Sequence, residues 1–221
     1  MKKAFLIVLL CMSICFGLVA CGGTPAEEAD PISYMQETLY TAENANFRVS
    51  LTSGRSESLF VADGKVTDVK DYANLSVVPL HVDLYNDAYT YTLVGSAGTT
   101  QGTLDKDNFG ASFEGAIPEW DKVGQPMTLT LQYDGHSEEF SLADRMEGCI
   151  TGKEAEKIAH DAIKDKLEAD NHDRETYVRY INDSSTPSSP YYWYVAYINA
   201  PTDYYSVLID PKEGTVLSVN P

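Results

Sequence analysis

The side chains that could do chemistry are scattered along the chain. His81, His136, His160 and His172 are the four histidines, and no His-Glu-x-x-His or Cys-x-x-Cys spacing accompanies them. Those spacings bring zinc ligands onto one helix face or one knuckle, so no metal site is expected. No Gly-x-Ser-x-Gly turn lifts a serine nucleophile out of a sheet. Gly148-Cys149-Ile150-Thr151-Gly152-Lys153-Glu154 leads glycines into a helix start. It has three residues between the glycines where a phosphate cradle needs four, and Glu154 where a hydroxyl would hold magnesium. Asp105-Lys106-Asp107-Asn108-Phe109-Gly110 opens as a calcium loop does, yet Phe109 takes the fifth position and Ala116 the twelfth. It reads as an acidic turn, with weak calcium binding left open. Glu138-Glu139 and the pair Asp170 and Asp173 read as solvated surface. No catalytic residue and no cofactor is expected, and the chain reads as a non-enzyme.

The most unusual feature is aromatic. Tyr191-Tyr192-Trp193-Tyr194-Val195-Ala196-Tyr197 lies in a stretch, residues 177–205, that holds nine aromatics, eight of them Tyr. A strand turns alternate residues to opposite faces. Tyr191, Trp193, Val195 and Tyr197 then share one face, and Tyr192, Tyr194, Ala196 and Ile198 the other. Two readings stand side by side. One is ordinary β propensity, with buried rings and wetted hydroxyls. The other is an open face that binds protein, peptide or glycan through Tyr191, Tyr192, Trp193, Tyr194 and Tyr197.

Composition limits what could bind. The 221 residues carry 16 Lys+Arg against 33 Asp+Glu, a net charge of −17. Such a surface repels phosphate backbones, so nucleic acid is excluded as a partner. At 43% hydrophobic residues the chain is globular, with room for one large or two small domains.

The elements that must position the aromatics follow from periodicity. Asp30 caps a short helix over residues 31–45, with Pro31 first and Ile32, Met35, Leu39 and Ala42 at helical spacing. From Asn46 to about Met146 the pattern is β. Phe47–Leu51, Tyr89–Leu93 and Met127–Tyr133 alternate apolar with polar residues. Asp134-Gly135 turns the last of these into a hairpin with Glu139–Leu142. Gly95–Gly102 reads as a flexible loop. At Thr151 the period changes: Ala155, Ile158, Ala159, Ala162, Ile163 and Leu167 line one helix face, and Thr151 with Glu154 forms a capping box. Strands are expected over 176–182, 191–199, 204–210 and 215–219.

Residues 1–21 read MKKAFLIVLLCMSICFGLVAC: two lysines, a short apolar run, then Leu18-Val19-Ala20-Cys21. This is an export signal and not a membrane span. The last four residues resemble the lipobox of bacterial lipoproteins. That resemblance implies cleavage before Cys21, a diacylglycerol thioether on its sulfur, and anchoring to the outer face of the cell membrane. Cys11 and Cys15 leave with the signal, so Cys149 has no disulfide partner and reads as a small buried hydrophobe.

The C-terminal region resembles the PepSY domain. The likeness is carried by Thr151-Gly152-Lys153-Glu154-Ala155, by Trp193-Tyr194-Val195 and by Val207-Leu208-Ile209-Asp210-Pro211-Lys212-Glu213-Gly214-Thr215-Val216-Leu217. It covers about a third of the chain, and the Ser/Pro loop at 183–190 departs from the pattern. The resemblance implies binding, and possible restraint, of a peptidase or another surface protein, with no catalytic residue. The expected organisation is therefore α+β. A signal at 1–20 and an acidic tether at 21–30 precede a β-rich sandwich or barrel at 31–146 and a helix-plus-antiparallel-sheet domain at 147–221 able to fold alone. The expected function is that of a lipid-anchored extracytoplasmic protein that binds another protein, the alternative being a solute- or glycan-binding lipoprotein using the β-rich region.

Overall fold

In the computed structural model, residues 32–58, 60–85, 88–107, 110–170, 172–182 and 189–220 are described. Cys21, the tether and Asp30 lie outside them. The chain order is β1 (Ile32–Glu43), β2 (Phe47–Glu57), β3 (Val69–Pro79), β4 (Tyr89–Val94), β5 (Thr99–Lys106), β6 (Phe113–Ala116), β7 (Met127–Tyr133) and β8 (His136–Asp144), followed by α1 (Gly152–Asp170). Then come β9 (Glu175–Asn182), β10 (Tyr191–Ala200), β11 (Asp203–Ile209) and β12 (Val216–Asn220).

Eight strands close into an antiparallel barrel in the order β1-β2-β3-β6-β5-β4-β7-β8, and β8 returns to β1. Alternation explains why. Phe47, Leu51, Leu75, Leu93, Leu129 and Leu131 have no measurable exposure and fill the interior. The barrel is thus a core and not a container. The expected hairpin at Asp134-Gly135 is present, both residues having positive φ (47° and 75°), which suits the twist of β7 and β8.

The remaining four strands correct the expected α+β organisation. They do not form a separate helix-plus-sheet domain; the protein is mostly β, with one helix. Strand β9 pairs in parallel with the first residues of β1 (Ile32↔Thr176, Met35↔Val178), and β10, β11 and β12 continue outward from it. One edge of β1 is therefore shared: residues 32–35 serve β9, and Tyr40 and Thr41 serve β8. Helix α1 covers one face of the added strands, burying Ala155, Ala159 and Ile163 against Val178, Trp193, Val195 and Ile209. Its capping box is formed, Glu154 N donating to Thr151 Oγ1 (3.2 Å) and Thr151 N to Glu154 Oε2 (2.7 Å). Ala162, expected on the buried face, is exposed. Among the described residues, no helix is long and apolar enough to cross a membrane.

Two local expectations also fail. The helix expected over 31–45 is strand β1. Its register slips between Gln36 and Thr38, a bulge that breaks period-two alternation and leaves apolar residues at helix-like spacing. Gly54 of β2 permits the bulge, because a Cβ there would sit 2.0 Å from the Met35 carbonyl oxygen. The flexible loop expected at 95–102 is a tight turn running into β5, where Gly102 makes room for the Tyr91 ring.

Removing residues 1–146 leaves β9 without its neighbour and the α1 core without Met35 and Leu39. The isolated fragment 147–221 is expected to show no cooperative thermal transition, whereas residues 31–221 melt in one step. A sharp transition in the fragment would show that β1 is dispensable.

Candidate functional site

The aromatic run occupies β10 and divides by parity. Trp193, Val195 and Tyr197 turn toward α1 and have no exposed surface. Trp193 Nε1 donates to the Ile150 carbonyl (3.1 Å) and Tyr197 Oη to the Glu156 carbonyl (3.2 Å), so both rings keep their polar ends satisfied in the core. Tyr191, on the same side, stacks on Tyr180 at 5.0 Å with planes 6° apart. Trp193 and Tyr197 are therefore core residues, which corrects their expected role in binding. Tyr192 and Tyr194 face the other way and are partly exposed.

That second face extends well beyond β10. Register places Tyr34 of β1 beside Tyr177 of β9, and Tyr177 beside Ala196 of β10. Tyr34 stacks between Tyr177 (centroids 4.6 Å apart) and Tyr72 of β3 (5.6 Å). The Tyr34 and Tyr72 hydroxyls are hydrogen-bonded at 2.5 Å. Burial pushes both phenols above the ordinary tyrosine range, with the Arg179 guanidinium opposing the rise. Further along, burial likewise raises the Tyr194 phenol against the pull of the Ser206 hydroxyl, and the neighbouring Tyr204 and Tyr177 phenols add to the rise. Tyr204 is 39% exposed. The result is a band of tyrosines, Tyr72-Tyr34-Tyr177-Tyr194-Tyr204, on five of the six strands from β3 to β11, on the side that α1 does not cover.

A connection between β2 and β3 bounds this band. Phe60, 46% exposed, leans on the Tyr177 ring at 5.5 Å. Two buried carboxylates hold the connection down: Glu57 accepts from Thr67 N, and Glu175 Oε1 accepts from Asp63 N at 3.1 Å. Burial raises the Glu175 carboxyl above the ordinary glutamate value, outweighing the Ser33 hydroxyl and the Gly64 and Asp63 amides, while Glu57 adds to the rise.

The sequence singled out Tyr192 and Tyr194 but missed Tyr34, Tyr72 and Phe60. Tyr34 lay in a segment read as helix, and Tyr72 and Phe60 lay far from the aromatic run. Their one available signal was alternation in 71–77, which sets Tyr72 opposite Ala73 and Leu75. The other candidates stay apart. Cys149 is half-buried, its Sγ 3.4 Å from Tyr180 Oη. Asp107 Oδ1 accepts from the Ala111 and Ser112 amides as a turn cap. Glu154 closes the helix start where a phosphate would otherwise sit. Among the described residues, no group of three or more His, Cys, Asp or Glu side chains is placed to hold a metal ion. No family model matches the chain, and no curated protein or solved structure matches it either.

A carboxyl whose folded pKa is raised stabilises the fold while it is protonated, and that contribution disappears as pH climbs through the raised value. As pH rises above the ordinary glutamate range, Glu175→Gln should therefore lose less melting temperature than the parent. Identical pH dependence in the two proteins, followed by thermal melting, would contradict the burial argument.

Proposed function

We propose that this chain is a non-enzymatic, lipid-anchored protein of the extracytoplasmic membrane face, and that it binds another protein through the uncovered tyrosine band. The observation that carries this reading is the run of stacked, partly exposed rings from Tyr72 through Tyr34 and Tyr177. Tyrosines bury large area with only two side-chain torsions to immobilise, which makes them effective anchors. The Tyr34 and Tyr72 phenols, raised by burial, stay protonated at neutral pH, and Arg179 lies opposite Tyr194, so the band carries no anion of its own within a chain of net charge −17. A partner with a neutral or basic face would be steered toward it, and an acidic one repelled. The Leu18-Val19-Ala20-Cys21 sequence supports the anchor. A filled barrel interior speaks against the alternative of a solute held inside the β-rich region.

The anchor has a direct test. Cys21→Ala should shift the protein from the membrane fraction to the soluble one; full membrane retention would remove the lipid from the proposal.

The binding face has a separate test. Tyr177→Ser combined with Tyr194→Ser should lower the melting temperature by only a few degrees, the cost of the lost Tyr34 and Phe60 ring contacts. The same variant should weaken capture of a crosslinked surface partner by about 2 kcal/mol or more, as for interface anchors generally. Equal capture by parent and variant would rule out the band as the binding surface.

A further inference from the structure

The chain has five arginines: Arg48, Arg55, Arg145, Arg174 and Arg179. Three of them, Arg48, Arg145 and Arg179, line one cleft of about 700 Å³. It opens where β9, after its short parallel pairing with β1, diverges from the barrel wall. One wall is the outer surface of β1 and β2; the other is the second half of β9 with Tyr191 at its rim. Arg48 is paired with Glu43 at 2.8 Å, which also lines the cleft. Arg145 Nε donates to Thr41 Oγ1 at 2.5 Å, a neutral partner that fixes the guanidinium without cancelling its charge. Arg179 and Arg145 are both exposed, on opposite sides of the opening. In a protein of net charge −17, the cleft thus gathers three of the five arginines.

The other lining groups select the kind of anion. Thr41, Ser50 and Thr52 on the barrel wall and Asn182 on β9 offer hydroxyls and an amide. Tyr191 offers an aromatic edge, already held flat by its stack on Tyr180. Leu39 and Ile181 add apolar lining beside these polar groups, as the C–H face of a sugar ring requires. A guanidinium fork matches a carboxylate in two parallel hydrogen bonds, and hydroxyls with an aromatic edge match a polyol ring. A volume of about 700 Å³ limits the ligand to a short oligosaccharide. We infer that this cleft is a second binding site, specific for a short acidic saccharide whose carboxylate sits between Arg145 and Arg179. The site adjoins the tyrosine band, because Arg179 lies opposite Tyr194 and its charge reaches Tyr34 and Tyr72.

Calorimetric titration of the full chain with cellobiouronic acid, digalacturonic acid and N-acetylmuramic acid tests this, with cellobiose as the neutral counterpart and inorganic phosphate as the bare anion. At least one acidic sugar should bind and weaken with added salt, while cellobiose and phosphate bind at least about tenfold more weakly. Arg145→Gln with Arg179→Gln should reduce the acidic sugar's affinity roughly 10- to 100-fold, the usual worth of a charged hydrogen bond. Ser50→Trp, which fills the cleft from the barrel side without touching its charge, should also abolish binding and serves if the double variant does not fold. Failure of all three acids to bind, equal binding of cellobiose or phosphate, or affinity untouched by either variant would each overturn the assignment.

Discussion

Everything in this molecule depends on how one strand satisfies its main-chain groups. Strand β1 has a complete antiparallel partner in β2 on one edge, but its other edge is divided between β9 and β8. A buried amide or carbonyl left without a partner costs about 1–3 kcal/mol, so both claims on that edge are strongly enforced. The bulge near Glu37 is where the strand changes allegiance. On one side of it β1 belongs to the extended sheet under α1; on the other it closes the barrel. The bulge in turn requires the missing side chain of Gly54. A single backbone irregularity thus joins two cores, one inside the barrel and one beneath the helix, into one unit spanning residues 31–221.

The same divergence creates both surfaces of interest. Because β9 holds to β1 only briefly, its first half aligns Tyr177 with Tyr34, whereas its second half leaves the barrel wall and opens the arginine-lined cleft. Because α1 covers one face only, the opposite face keeps its rings accessible. Buried Glu57 and Glu175 hold the β2–β3 connection against that face and set Phe60 beside Tyr177, in the middle of the aromatic band. These features arise from topology and not from any local motif.

That distinction decides what could be read from the sequence. Local rules were legible: the capping box at Thr151 and Glu154, the turn at Asp134-Gly135, and Asp210 accepting from the Lys212 and Glu213 amides before Gly214 with its positive φ. Parity within β10 was legible too, down to one buried set of residues and one partly open set. Strand β1 was not, because its bulge removes the alternation that marks a strand and leaves Ile32, Met35 and Leu39 at helical spacing. Nor was the shared sheet, since Met35↔Val178 and Thr41↔Ala143 join residues more than a hundred positions apart. The tyrosine band and the arginine cleft are assembled by those pairings, and no spacing rule within one segment could reveal either.

At one end of the sheet β8 returns to β1; at the other, among the described residues, β12 has no further neighbour. Val216, Leu217 and Val219 are all exposed on that last strand. Ordinary open sheets have two such margins and can template growth in both directions, which is how fibres begin. A second copy joining along β12 would cover that edge in both molecules at once. Strand addition through β12 therefore stops at two chains, with no gatekeeping charge needed on β12 itself.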